Sequence, residues 1–233
     1  MKADVQSRLA DVQNAITRAA QRSGRTAGDV TLIAVTKTHS VETIRAAINA
    51  GVFEVGENRV QEAEAKIEAI GHGSVKWHMI GPLQANKARR AVKLFDMIHS
   101  VDSIELARRL ERLCVEEGRK ELPFLVQVDL GHEPSKSGIA EEELPSVIKE
   151  MSGMRRVKAV GLMTLPPFFA DPQLTRPFFR RMRVLCDELR AGGYFNQIEI
   201  PHLSMGMSHD FEVAIEEGAT MVRVGTAIFG ERS

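Results

Sequence analysis

Cysteine is scarce in this 233-residue chain, and the two that occur, Cys114 and Cys186, exclude a disulfide framework or a zinc site. Each falls on the apolar face of an expected helix, where a thiol behaves as a small hydrophobe. Net charge is absent as well. Lys plus Arg total 31 against 31 Asp plus Glu, so no broad electrostatic attraction draws the chain to nucleic acid or an anionic membrane, and neither is expected as a partner. No uncharged run reaches membrane-spanning length, and the stretch from Met1 to Ala10 lacks the apolar core of a secretory signal. A soluble, cytoplasmic protein is the expectation. The histidines show no His-x-x-x-His spacing, which leaves a metal site without support. Low-complexity segments, charge blocks and Gly/Ser linkers are missing too, so one domain over residues 1–233 is expected.

What is present is a βα rhythm. Val5, Leu9, Val12, Ile16 and Ala19 recur at spacings of four and three, which predicts an opening amphipathic helix ended near Gly24 and Gly28. Strands are then expected at Thr31–Lys37, Val52–Asn58, Val75–Ile80, Met97–Val101, Phe124–Leu130, Val157–Met163, Gln197–Leu203 and Thr220–Val224. Several are short apolar runs, as parallel strands covered by helices should be. Matching helix faces lie between them: Val60, Ala63, Ile67 and Ile70; Leu106, Ala107, Leu110, Leu113 and Cys114; Leu144, Val147, Ile148 and Met151; Phe178, Met182, Leu185, Cys186 and Leu189. Eight strands alternating with helices predict an α/β fold, a single-domain (β/α)8 TIM barrel preceded by an N-terminal helix. An open flavodoxin-like or Rossmann sheet is the alternative. The enlarged loops Gly131–Gly138 and Pro166–Pro172 follow strands, on the face where barrel enzymes keep their working residues.

On that face the barrel reading brings together Lys37, Asn58, the His78–Gln84 segment, Lys136, Met163, Ser204 and Gly225. A lysine at a strand end can form an imine with an aldehyde, although such lysines are more often solvated stems. Leu203-Ser-Met-Gly-Met-Ser reads as a glycine-permitted turn whose amides, around Ser204 and Gly206, face an anion; an ordinary βα turn capped by Ser208 is the plainer alternative. Gly225 and Thr226 offer a second set of amides where barrels commonly seat phosphate. An arginine within a strand, Arg223, is costly without a partner; it could pair with an acidic residue or direct an N–H at a pyridine nitrogen. An amine plus a phosphate seat suggests pyridoxal 5'-phosphate. Trp77 is read as packing and His78 as a satisfied core histidine.

Taken in order, Ala34-Val-Thr-Lys-Thr, Gly56-Glu-Asn-Arg-Val-Gln-Glu, Trp77-His-Met-Ile-Gly-Pro-Leu-Gln-Ala-Asn-Lys, Ser135-Lys-Ser-Gly, Gly161-Leu-Met-Thr, Leu203-Ser-Met-Gly-Met-Ser and Val222-Arg-Val-Gly-Thr-Ala-Ile-Phe-Gly resemble the pyridoxal phosphate homeostasis family. Its barrel is similar to the N-terminal domain of alanine racemase. The resemblance spans nearly the whole chain. It implies that Lys37 forms the internal aldimine, that Ser204, Gly206, Gly225 and Thr226 seat the phosphate, that Asn58 lines the ring with Met163 on the same rim, and that Arg223 faces the pyridine nitrogen. Lys136 resembles a second family lysine near the mouth of the site. Two positions depart from the pattern: Arg59 stands where many relatives have tyrosine, and Asp129 where asparagine is common.

The resemblance implies a monomeric carrier that holds the cofactor as a lysine aldimine for vitamin B6 homeostasis, with cofactor-dependent apoenzymes as recipients and without catalytic turnover. An amino-acid racemase using the same cofactor is the alternative. Racemisation needs a second acid/base group, a tyrosine from a C-terminal β domain in the related enzymes. The sole tyrosine here, Tyr194, is expected on the opposite, N-terminal face. A cofactor-free lysine aldolase ranks last, since it leaves the phosphate seat and Arg223 to an unspecified sugar phosphate.

Overall fold

The apolar runs become parallel strands because each is hydrogen-bonded on both sides and roofed by a helix. The structure, a computed structural model, describes residues 2–131, 137–195, 198 and 200–231. Lys136 therefore lies outside the described residues. The strands are β1 (Thr31–Val35), β2 (Glu54–Glu57), β3 (Lys76–Met79), β4 (Met97–Val101), β5 (Leu122–Asp129), β6 (Ile139–Ala140), β7 (Val157–Thr164), β8 (His202–Met207) and β9 (Met221–Val224). Eight of them close in the order β1-β2-β3-β4-β5-β7-β8-β9, with the β9–β1 pairing Ile33↔Arg223 sealing the ring. The fold is the expected TIM barrel, and the open-sheet alternative falls with that closure. The two-residue β6 was not anticipated. It pairs with β5 at Val128↔Ile139, past the point where β4 stops at Val101↔Val126.

The helices are α1 (Lys2–Arg22), α2 (Val41–Asn49), α3 (Val60–Ile70), α4 (Ala88–Leu94), α5 (Ile104–Glu116), α6 (Leu144–Met151), α7 (Arg176–Ala191), α8 (Phe211–Glu216) and α9 (Thr226–Phe229). Their apolar faces pack on the outside of the strands into one large core, while Ile33, Leu125, Met163 and Met221 form a separate cluster inside the barrel. The helix α1 covers α2, α8 and α9, and Arg22 at its end pairs with Glu212 and Glu216 of α8. Cys114 and Cys186 are buried, and burial pushes the Cys186 thiol up to about 12.

Most strand ends shift by one or two residues, β1 stopping at Val35 rather than Lys37, and two readings change more. In α7 the buried aromatic is Phe179; Phe178 is turned outward and stacks on Phe169 with ring centroids 5.9 Å apart. The seventh barrel strand is His202–Met207 rather than Gln197–Leu203, so the stretch read as a turn is strand. Its register explains the misreading. Ser204 pairs with Met221 and Met207 with Arg223, three steps on β8 against two on β9, so one extra residue is bulged out. Gly206 supplies the bulge with φ 91°, and a Cβ there would lie 2.6 Å from the Ala214 Cβ.

Candidate functional site

The C-terminal ends of the strands frame a cavity of about 410 Å³, within the usual range for small-molecule sites. Lys37, Asn58, Arg223, Gly225 and Thr226 line it together with Ile80, Gly81 and Ser208. Five of the eight expected site residues therefore meet. The other three do not reach the wall: Ser204 and Gly206 are buried within β8, and Met163 belongs to the apolar cluster inside the barrel.

Lys37 sits two residues beyond β1, half-buried, in a turn whose next residue, Thr38, has φ 67°. A β-branched residue in that region is strained and needs its surroundings to hold it. They do. Lys66 of α3 donates from Nζ to the Thr36 carbonyl at 2.7 Å, and Glu62 accepts from the Thr38 amide. Thr36 Oγ1 donates to Glu57 Oε1 at 2.6 Å, and the same carboxylate oxygen lies 2.7 Å from Lys66 Nζ. Glu57 is fully buried, and desolvation raises its pKa against the opposing pull of Lys66 and Thr36. Sequence reading passed over this cluster, for which a charged residue recurring within a strand and its following helix was the available signal.

Arg223 is buried on β9, where desolvation brings its guanidinium down to about 10. No carboxylate hydrogen-bonds to it among the described residues. Its Nη1 donates to Ser204 Oγ at 2.6 Å and its Nη2 to the Thr164 carbonyl at 2.9 Å, and Asp210 acts on it only through space. The acidic-pair alternative for Arg223 is thus replaced by neutral acceptors. Ser208, read only as a helix cap, instead bridges elements: its Oγ accepts from the Gly225 amide at 3.1 Å and the Ala227 amide at 3.3 Å. At the start of α8 the cap position is Asp210, whose Oδ1 accepts from the Met207 amide at 2.7 Å. Gly225 is tight against β1, since a Cβ there would stand 3.3 Å from the Val35 Cβ.

Two departures noted in the sequence also find places. Arg59 is the residue preceding α3, exposed, and Asp129 ends β5 with its Oδ1 accepting from the Gly131 amide at 3.1 Å. An apolar lip borders the cavity, with Leu165, Phe168 and Met207 beside His209, which packs on Phe168 at a centroid distance of 5.4 Å.

A lysine-bearing rim, a buried arginine and clustered backbone amides on a (β/α)8 scaffold define a small-molecule-binding barrel of the alanine racemase N-terminal type. The alanine racemase N-terminal domain family matches residues 9–233. The chain belongs to the pyridoxal phosphate homeostasis proteins. It is 42% identical over 225 residues to the pyridoxal phosphate homeostasis protein of Aquifex aeolicus, covering 97% of both chains. The Escherichia coli K12 protein of that name is 39% identical over 240 residues, 98% of this chain and 97% of the other. Among solved structures, PipY of Synechococcus elongatus with pyridoxal phosphate bound superposes with a TM-score of 0.84 at 39% identity, over 97% of this chain and 100% of that one. Alanine racemase of Clostridium difficile shares the fold alone, with a TM-score of 0.75 at 18% identity; the chain is covered to 99% but reaches only 57% of that enzyme.

Proposed function

We propose that the rim cavity binds pyridoxal 5'-phosphate with Lys37 as covalent anchor, and that the chain holds the cofactor for intracellular vitamin B6 homeostasis and delivery to apoenzymes rather than for turnover. The observation that carries this reading is the meeting of Lys37, Arg223, Ser208 and Thr226 on one cavity wall. When bound, the cofactor supplies an aldehyde that a lysine amine holds reversibly.

The chain's own residues suit each part of that ligand. Lys37 brings its amine to the cavity on a turn clamped from α3, so the amine is held close to where an aldehyde would sit. The Thr226 hydroxyl and amide and the Ser208 hydroxyl supply donors for a phosphate, next to glycine backbone that allows close approach. Ser204 and Gly206 support this seat indirectly, the first by bonding Arg223 and the second by letting β8 bulge against α8. Arg223 offers N–H donors to a ring nitrogen. A guanidinium that stays protonated discourages protonation of that nitrogen and weakens the ring as an electron sink. Asn58 flanks the ring position, its backbone pressed against Gly81, where a Cβ would come within 2.5 Å of the Asn58 carbonyl oxygen.

The carrier reading is favoured over racemisation by the position of Tyr194. It follows α7 and lines a groove with Val157 and Lys158 at the starting end of β7, across the barrel from Lys37. Purified chain mixed with the cofactor should absorb in the visible, and borohydride followed by peptide mapping should place the label on Lys37. Amino-acid racemase assays should show no turnover. Robust racemisation lost in Lys37→Ala would replace the carrier by an enzyme, and a colourless chain labelled only with sugar phosphates would favour the aldolase.

A further inference from the structure

Inside the barrel, beneath Arg223, polar side chains from four other strands line up. Arg223 Nη1 donates to Ser204 Oγ at 2.6 Å. Ser204 Oγ lies 2.9 Å from His99 Nδ1, and His99 Nε2 lies 3.0 Å from His78 Nδ1. The next nitrogen, His78 Nε2, is 2.9 Å from Glu54 Oε2. Glu54 opens β2 at the N-terminal mouth, where it also meets exposed Lys76 at 3.1 Å. Ser204, His99 and His78 are at most 1% exposed, so bulk solvent does not reach them.

Donor and acceptor rules fix the direction of this chain. A guanidinium has no acceptor, so Ser204 must accept from Arg223. The buried Ser204 hydroxyl then needs an acceptor for its own hydrogen. Among the described residues its one other side-chain partner is His99 Nδ1, which therefore carries no proton. His99 is left with its hydrogen on Nε2 and donates to His78 Nδ1, and His78 in turn keeps its hydrogen on Nε2, aimed towards Glu54. Desolvation, with His78, Arg223 and His202 nearby, holds the His99 pKa well below the ordinary value, consistent with a neutral ring. A cation at one end and a carboxylate at the other polarise every link in the same sense.

We infer that Glu54, His78, His99, Ser204 and Arg223 form a one-directional relay along the barrel interior that orients the guanidinium toward the rim cavity and compensates its charge from the opposite mouth. His99 and Ser204 are then positioning residues, acting on a bound ring only through Arg223. The relay rests on the proposed function only for what Arg223 faces; its direction is a property of the chain alone.

Nitrogen NMR of histidine-labelled, cofactor-free full-length protein reads that direction. Both His78 and His99 should be neutral with hydrogen on Nε2. His99 with hydrogen on Nδ1, or doubly protonated at neutral pH, would overturn the relay. In cofactor-loaded protein, Ser204→Ala should weaken binding roughly three- to tenfold through loss of guanidinium orientation, with borohydride labelling of Lys37 kept. Should that buried variant fail to fold, Glu54→Gln at the barrel mouth removes the charge while keeping an acceptor. It should move the nitrogen resonances of His78 and the visible band of the bound cofactor, and no change in either would again sink the relay. Expected tautomers in a chain that never labels at Lys37 would mean that the cofactor reading fails and the relay stands.

Discussion

Two backbone groups flanking Lys37 are held by side chains from α3: the Thr36 carbonyl by Lys66 and the Thr38 amide by Glu62. The turn that carries the amine is therefore fixed on both sides. Lys37→Ala should abolish borohydride labelling while leaving cofactor affinity reduced by roughly tenfold or more, because the phosphate donors and Arg223 remain. Unchanged labelling in that variant would refute the lysine assignment. The clamp itself is testable at Lys66, whose amine is shared by Glu57, Glu62 and Thr36. Lys66→Met removes the partner of a fully buried carboxylate, and losing one member of a buried pair costs about 3–5 kcal/mol. Urea denaturation should show that drop; a midpoint equal to the parent's would mean Glu57 finds compensation elsewhere.

At the scale of elements, β8 and the two short helices after β8 and β9 form the part of the rim that sequence reading described least well. Ser204-Met-Gly-Met looks like a turn because glycine and serine punctuate it, yet pairing with β7 and β9 draws it into the sheet and spends the glycine on a bulge. The Ser204 hydroxyl consequently accepts from Arg223. The lysine's place was legible to within two residues, since the apolar run Thr-Leu-Ile-Ala-Val marks the strand; the expected end at Lys37 gives way to a turn after Val35. Gly206→Ala tests the bulge. With φ 91° and a Cβ 2.6 Å from Ala214 and 2.9 Å from the Phe211 Cα, the variant should lose about 1–3 kcal/mol of stability. Cofactor affinity should weaken with it, because α8 and Ser208 shift together. A thermal midpoint within a degree or so of the parent would show that β8 can relax without the glycine.

For the whole molecule, the alternation of strands and helices announced a barrel, but closure and the contents of its interior depend on register, which one sequence does not display. His78 faces Met97 across β3 and β4, and that pairing brings His78 and His99 to hydrogen-bonding distance from sites 21 residues apart. A buried histidine kept neutral makes the fold sensitive to acid. The folded pKa of His99 lies below the unfolded value of 6.5, as does that of the half-buried His202, so below pH 6.5 the unfolded chain binds more protons. Stability must then fall as pH drops through that window. Glu57 and Asp210 act oppositely, since burial raises both carboxyls and the folded state takes up protons first on acidification. Comparing the parent with His99→Gln separates the contributions. From pH 7.5 to 5.5 the parent should lose more unfolding free energy than the variant, by up to about 1.4 kcal/mol for one histidine held neutral. Equal losses in urea titrations at the two pH values would mean that His99 takes up its proton in the folded barrel, contrary to a buried neutral ring.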